Sequence, residues 1–155
     1  MPQFTHISSE ENIQSIIKSA FDTDLSVGGG WGYTRKDATV LESNQDNLPL
    51  NQIEHMLASM RTYLEMNMTL DEKDRYGSIN LNELSRETIK ENTNIYDKVN
   101  YEISAMKEIV YADFINEYKE GYGKEGFNLE EHFSRRKKET LTRVIVYWFE
   151  TGKIT

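Results

Sequence analysis

The chain reads as an α-rich α+β protein, about five helices packed around a small β-hairpin, on three observations. Apolar residues recur at helical spacing along much of its length, only two prolines (Pro2 and Pro49) interrupt 155 residues, and four glycines fall in the five positions Gly28 to Gly32 between two strand-prone segments. That length suits a single globular domain, residues 1–155, that buries its own core without metal or disulfide.

Taken in order, Ser8-Ser9-Glu10-Glu11 carries a capping-box pattern ahead of the stripe Ile13, Ile16, Ile17 and Phe21, which predicts a first helix over about residues 9–20. Residues 25–27 and 38–41 favour strand, and the glycine-rich stretch between them predicts a hairpin with a long or bulged connection. Pro49 suits a helix start, and Ile53, Met56, Leu57, Met60 and Leu64 continue that helix to about residue 66. Asn80-Leu81-Asn82-Glu83 and Asn94-Ile95-Tyr96-Asp97 read as two further starts, predicting helices over 81–91 and 95–120. In the second, Val99, Tyr101, Ile103 and Ala105 also alternate as a strand would, but Ile95, Val99, Ile103, Met106, Val110 and Phe114 hold a helical period over a longer window. Asn128 opens a last helical segment with Glu130 and Glu131 in its first turn. The β-prone run Val144 to Phe149 leaves a closing strand as the rival, and the start and stop signals favour a helix ending at Gly152.

Composition narrows the function classes. With 18 basic and 26 acidic residues the net charge is −8, which repels nucleic acid and anionic membranes. The absence of cysteine removes disulfides, thiolate nucleophiles and thiolate metal sites, and fits a reducing cytoplasm. The longest apolar run, Val144 to Phe149, is far short of a membrane span, and no secretory signal is visible at the N-terminus. A cytoplasmic protein is expected.

Two groups of residues stand as candidate sites. Asp113 and Glu117, four apart on one predicted helix face beside Met106, Val110 and Phe114, are candidate catalytic carboxyls, able to split their titration or, with His55 or His132, to hold a divalent ion. Gly29, Gly30, Trp31 and Tyr33 are candidate ligand-binding residues, because consecutive glycines can aim backbone amides at an anion while a ring stacks on it. The same glycines serve equally in a tight turn or kinked strand, which is the reading the residues favour. The spacing matches neither phosphate-loop nor dinucleotide motifs, H-E-x-x-H and G-x-S-x-G are missing, and no cofactor is called for. Arg135-Arg136-Lys137-Lys138 covers a full helical turn and reads as a solvated segment offset by Glu130, Glu131 and Glu139. Met56 and Met60 belong to the core stripe, whereas Met66 and Met68 are expected at the surface. Aromatics at 11%, nine of them tyrosine, add amphipathic contact area. The expected function is therefore a non-enzymatic cytoplasmic binding or protein-interaction module, with a protein partner or a homodimer. The alternative is a small metal-dependent or acid/base enzyme built on the helix-borne carboxylate pair.

Overall fold

Two antiparallel hairpins and a C-terminal strand make one mixed five-stranded sheet, ordered β1-β2-β5-β4-β3, in this computed structural model. It describes residues 4–8, 10–44 and 46–154. The strands are β1 (Val27–Gly29), β2 (Thr39–Leu41), β3 (Tyr76–Glu91), β4 (Asn94–Lys107) and β5 (Leu141–Glu150), and the helices are α1 (Ile13–Phe21), α2 (Leu50–Tyr63), α3 (Glu108–Gly121) and α4 (Leu129–Glu139). Only β2 and β5 run parallel.

The α-rich expectation is overturned: the described residues are 31% strand and 38% helix, with four helices and a five-stranded sheet in place of five helices around a hairpin. Residues 81–91 and 95–107, expected as helix, are most of β3 and β4, and the helix expected to end at Gly152 is β5. The physical reason is that four is a multiple of two. Ile95, Val99 and Ile103 satisfy a helical spacing and an alternation together, and the deciding positions are Asp97, Tyr101 and Ala105, all of which point inward from β4. A buried aspartate at the first of these disguised the strand. On β3, residues 82–88 are exposed on both faces, so no alternation is left to read. The helix beginning at Asn128 does form, but it stops at Thr140, and the β-branched and aromatic run after it pairs with β4 over its whole length.

The remaining elements follow local chemistry closely. Asn12 caps α1 by accepting from the amides of Gln14 and Ser15, while Ser8 accepts from Glu10 ahead of the helix and residue 9 lies outside the described residues. Asp22 in the left-handed region ends α1 after Ile13 and Ile17 have entered the core. The expected hairpin is present as β1 and β2, with Gly28 opposite Val40. α2 starts after Pro49 and passes into a π-helical turn at Leu64–Met68, whose residues Leu64 to Asn67 are buried. Met66 is therefore a core residue, not a surface one, and Met68 is exposed. α1 and α2 supply the residues that pack on one sheet face, against Val99, Tyr101, Ile103, Ile145, Tyr147 and Phe149.

Candidate functional site

The glycine-rich segment is organised by a buried arginine that the sequence did not single out. Arg61 of α2 donates Nη1 to the Trp31 carbonyl at 3.0 Å and Nη2 to the Val146 carbonyl at 2.8 Å. Its guanidinium carbon lies 4.3 Å from the ring centroids of both Tyr33 and Tyr147, so the cation is held between two aromatic faces. Glu65, one helical turn on, approaches Arg61, receives the Tyr33 hydroxyl at 2.5 Å and pairs with Arg143 at 3.1 Å. Burial lowers the Arg61 pKa, while nearby Tyr147 and Glu65 favour its charged form. Burial also raises the Tyr33 hydroxyl, and Glu65 as its acceptor adds to the shift.

Trp31 is fully buried, and a Cβ at Gly30 would fall 1.6 Å from Asp37 Oδ1. Gly29 and Gly32 have φ of +70° and +77°, and a Cβ at Gly32 would meet the Tyr147 ring at 2.2 Å. Of the candidate ligand residues, Trp31 and Tyr33 are thus gathered around Arg61, with Gly29 and Gly30 turning the backbone toward them. The positive-φ glycines permit that close approach.

The two helix-borne carboxyls part company. Asp113 is exposed, whereas Glu117 turns toward α4, where it meets His132 Nδ1 at 3.1 Å and pairs with Arg135. These two partners, His132 first, hold the Glu117 carboxyl below the usual range. His132 is itself buried among the rings of Phe114, Tyr118, Phe127 and Phe133, so this contact joins α3 to α4. His55 stands on α2, exposed, with Nε2 3.3 Å from the Leu81 carbonyl. Among the described residues, no group of three or more histidine, aspartate or glutamate side chains is placed to hold a metal ion.

A third polar centre lies under the β3 edge. Arg86 of β3 grips Glu83 by two hydrogen bonds, Nε to Oε2 at 3.1 Å and Nη2 to Oε1 at 2.6 Å. Its Nη1 reaches the buried Glu54 of α2 at 3.1 Å and the buried Asp97 of β4 at 3.7 Å. Thr88 donates to the other Asp97 oxygen at 2.8 Å. Burial pushes the Glu54 carboxyl up to about 8, the adjacent Asp97 carboxyl adds to the shift, and Arg86 opposes it. Glu54 Oε2, Asp97 Oδ2 and the Tyr101 hydroxyl are buried without a hydrogen-bond partner, and Glu54 Oε1 has only the ion pair with Arg86. Burial followed by the Glu54 charge raises the Tyr101 hydroxyl. The sequence signal for this centre was a glutamate beside Ile53 in an apolar stripe and an aspartate in phase with Val99 and Tyr101.

Next to it runs an open groove of about 630 Å³, walled by Phe21, Met56, Met60, Tyr63, Ile79 and Leu81. One wall is the outer side of α2 and the other is β3, whose far edge pairs with no strand among the described residues, although His55 meets the Leu81 carbonyl. The β3–β4 register is regular from Asn80 to Glu83 and shifts on either side, between Gly77 and Asn80 and between Glu83 and Ser85. A short straight edge therefore borders an apolar groove, with the carboxyl cluster at its end. Among the described residues no helix is long and apolar enough to cross a membrane. Comparison with known proteins returned no matching family model, no matching curated protein and no matching solved structure.

Proposed function

We propose that this protein is a non-enzymatic interaction module that binds another polypeptide by adding an extended segment to the free edge of β3. The observation that carries the reading is the regular edge stretch Asn80 to Glu83 lying directly beside the groove of Phe21, Met56, Met60, Tyr63, Ile79 and Leu81. An unpaired edge offers a row of backbone donors and acceptors, which supplies affinity, and pockets for alternate side chains supply selectivity. The register shifts on either side keep the usable edge short, which limits indiscriminate pairing with other sheets. A net charge of −8 disfavours nucleic acid as the partner. The cysteine-free composition supports a cytoplasmic setting as part of the same proposal.

The test is selection of random displayed peptides on the immobilised protein, followed by amide exchange of the complex. Enriched peptides are expected to alternate apolar and polar residues and to slow exchange over residues 79–83. Met56→Glu and Tyr63→Glu, both in the groove wall, are expected to abolish binding without changing the thermal unfolding midpoint by more than a few degrees. Enrichment without alternation, or protection confined to another surface, would overturn the reading.

A further inference from the structure

Three carboxyls share one guanidinium at the end of the docking edge. Arg86 contacts Glu83, Glu54 and Asp97, contributed by β3, α2 and β4, and the remaining titratable groups of this corner are Tyr101 and His55. Arg86 spends its two-point contact on Glu83, leaving a single Nη1 for the other two acids. Two observations beyond the acidic cluster itself mark the corner as under-satisfied: Glu54 Oε2, wholly buried, has no hydrogen-bond partner and Oε1 has only the Arg86 ion pair, and the buried hydroxyl of Tyr101 has no hydrogen-bond partner either.

Sheet geometry says which side chain could reach this corner. Residues opposite one another on neighbouring strands project from the same face, with Cβ atoms about 4.5–5.5 Å apart. Glu83 faces Tyr101 across one side of β3, and its other side is the free edge. A strand added there would set one side chain beside Glu83, on the face that carries Arg86, Glu54 and Asp97. Side chains two and four residues away would then lie beside Leu81 and Ile79, over the groove.

We propose that the segment taken by this edge is basic, with a lysine or arginine beside Glu83 and apolar side chains two and four residues from it. The inference rests on the edge-docking reading given above and adds the chemistry of the partner. Charge complementarity decides the occupant, since a second copy of this chain would bring a net charge of −8 to an acidic corner, whereas a basic partner supplies the missing cation. The incoming cation leaves Arg86 on its present partners and offers its own donors to the exposed side of Glu83.

The experiment uses three fluorescein-labelled heptapeptides whose sequences read the same in both directions, so that strand orientation does not matter: KTVTVTK, STVTVTS and ETVTVTE. Binding to the full chain at low ionic strength is expected to follow the order lysine, serine, glutamate. The lysine peptide should bind about tenfold or more tighter than the glutamate peptide, the range open to a partly desolvated ion pair. In Glu83→Gln, whose altered side chain is partly exposed, the lysine and serine peptides are expected to bind alike. Equal binding of all three to the wild-type chain overturns the basic preference and leaves edge docking standing. A lysine preference that survives Glu83→Gln also overturns it, because the cation then sits elsewhere. Failure of all three to bind, or binding that leaves amide exchange at residues 79–83 unchanged, overturns edge docking and this inference together.

Discussion

Gly32 and Gly123 have nearly the same backbone, φ of +77° and +79°, but only one is hemmed in. At Gly32 a Cβ would collide with the Tyr147 ring, which is stacked under Arg61, whereas nothing lies within 4 Å of a Cβ at Gly123. Gly32→Ala is therefore expected to cost about 3 kcal/mol or more, and Gly123→Ala only the left-handed penalty of about 1–2 kcal/mol, both read from urea unfolding. Glu54 gives a second prediction at this scale. Burial pushes its carboxyl up to about 8 in the folded protein from an ordinary value of 4.5, so between those values the folded state binds more protons than the unfolded one. Stability from this group is then fully present below about pH 4.5 and lost as the pH rises through 8, the reverse of an ordinary paired carboxylate. Glu54→Gln, which cannot ionise, should lack that slope, so the difference in unfolding free energy between wild type and variant should itself vary with pH, by at most about 1.4 kcal/mol per pH unit. A difference that does not vary between pH 5 and 8 contradicts the assignment.

At the scale of elements, α2 ties the molecule together through side chains that an amphipathic helix would not normally bury. Arg61 links it to the glycine-rich segment and to β5, and Glu54 links it to β3 and β4. Removing Arg61 would leave two carbonyls unpartnered and Glu65 with Arg143 as its remaining cation. Arg61→Met is accordingly expected to destabilise by about 3–5 kcal/mol, as when one partner of a buried ionic network is removed. The double variant Arg61→Met/Glu65→Gln should recover part of the loss, because it also removes the buried charge. A double-mutant cycle in chemical denaturation measures that recovery, and strict additivity of the two losses would show that Arg61 acts through its aromatic contacts instead. Much of α2 was legible from Ile53, Leu57 and Met60, α1 from its apolar stripe, and the start of α4 from its cap at Asn128. The role of Glu54 and Arg61 was not, because helical periodicity reports which face is buried without saying what a charged residue on that face will meet.

Across the whole molecule, protection should be graded by position in the sheet. β4 is bonded on both sides and buries five alternate residues, whereas β3 has one bonded side and is exposed on both faces over residues 82–88. Native-state hydrogen exchange is expected to find the slowest amides in the middle of β4 and in the matching part of β5. The amides of β3 that point to its free edge should exchange fastest within the sheet, and a bound strand should slow them. Uniform protection of β3 in the unbound protein would mean that its edge is covered, most simply by a second copy, and sedimentation velocity would then show a dimer.

Signals carried by neighbours along the chain suffice for its local pieces. Asn128 caps because its side chain reaches the amide three residues on, and Gly29 and Gly32 bend the β1–β2 connection because they lack a Cβ, whereas the first helix takes its cap from Asn12 and not from the expected box at Ser8. Tertiary structure decided the rest, because the competing states differ only in long-range partners. The spacing of Ile95, Val99 and Ile103 fits helix and strand alike, and pairing with β3 and β5 is what makes the segment a strand. Likewise Glu54, Asp97 and Arg86 are separated by 11 residues or more in the chain and become one centre only when α2 crosses the β3–β4 hairpin. The candidate site therefore lay in residues that were individually visible, while their proximity is a property of the sheet.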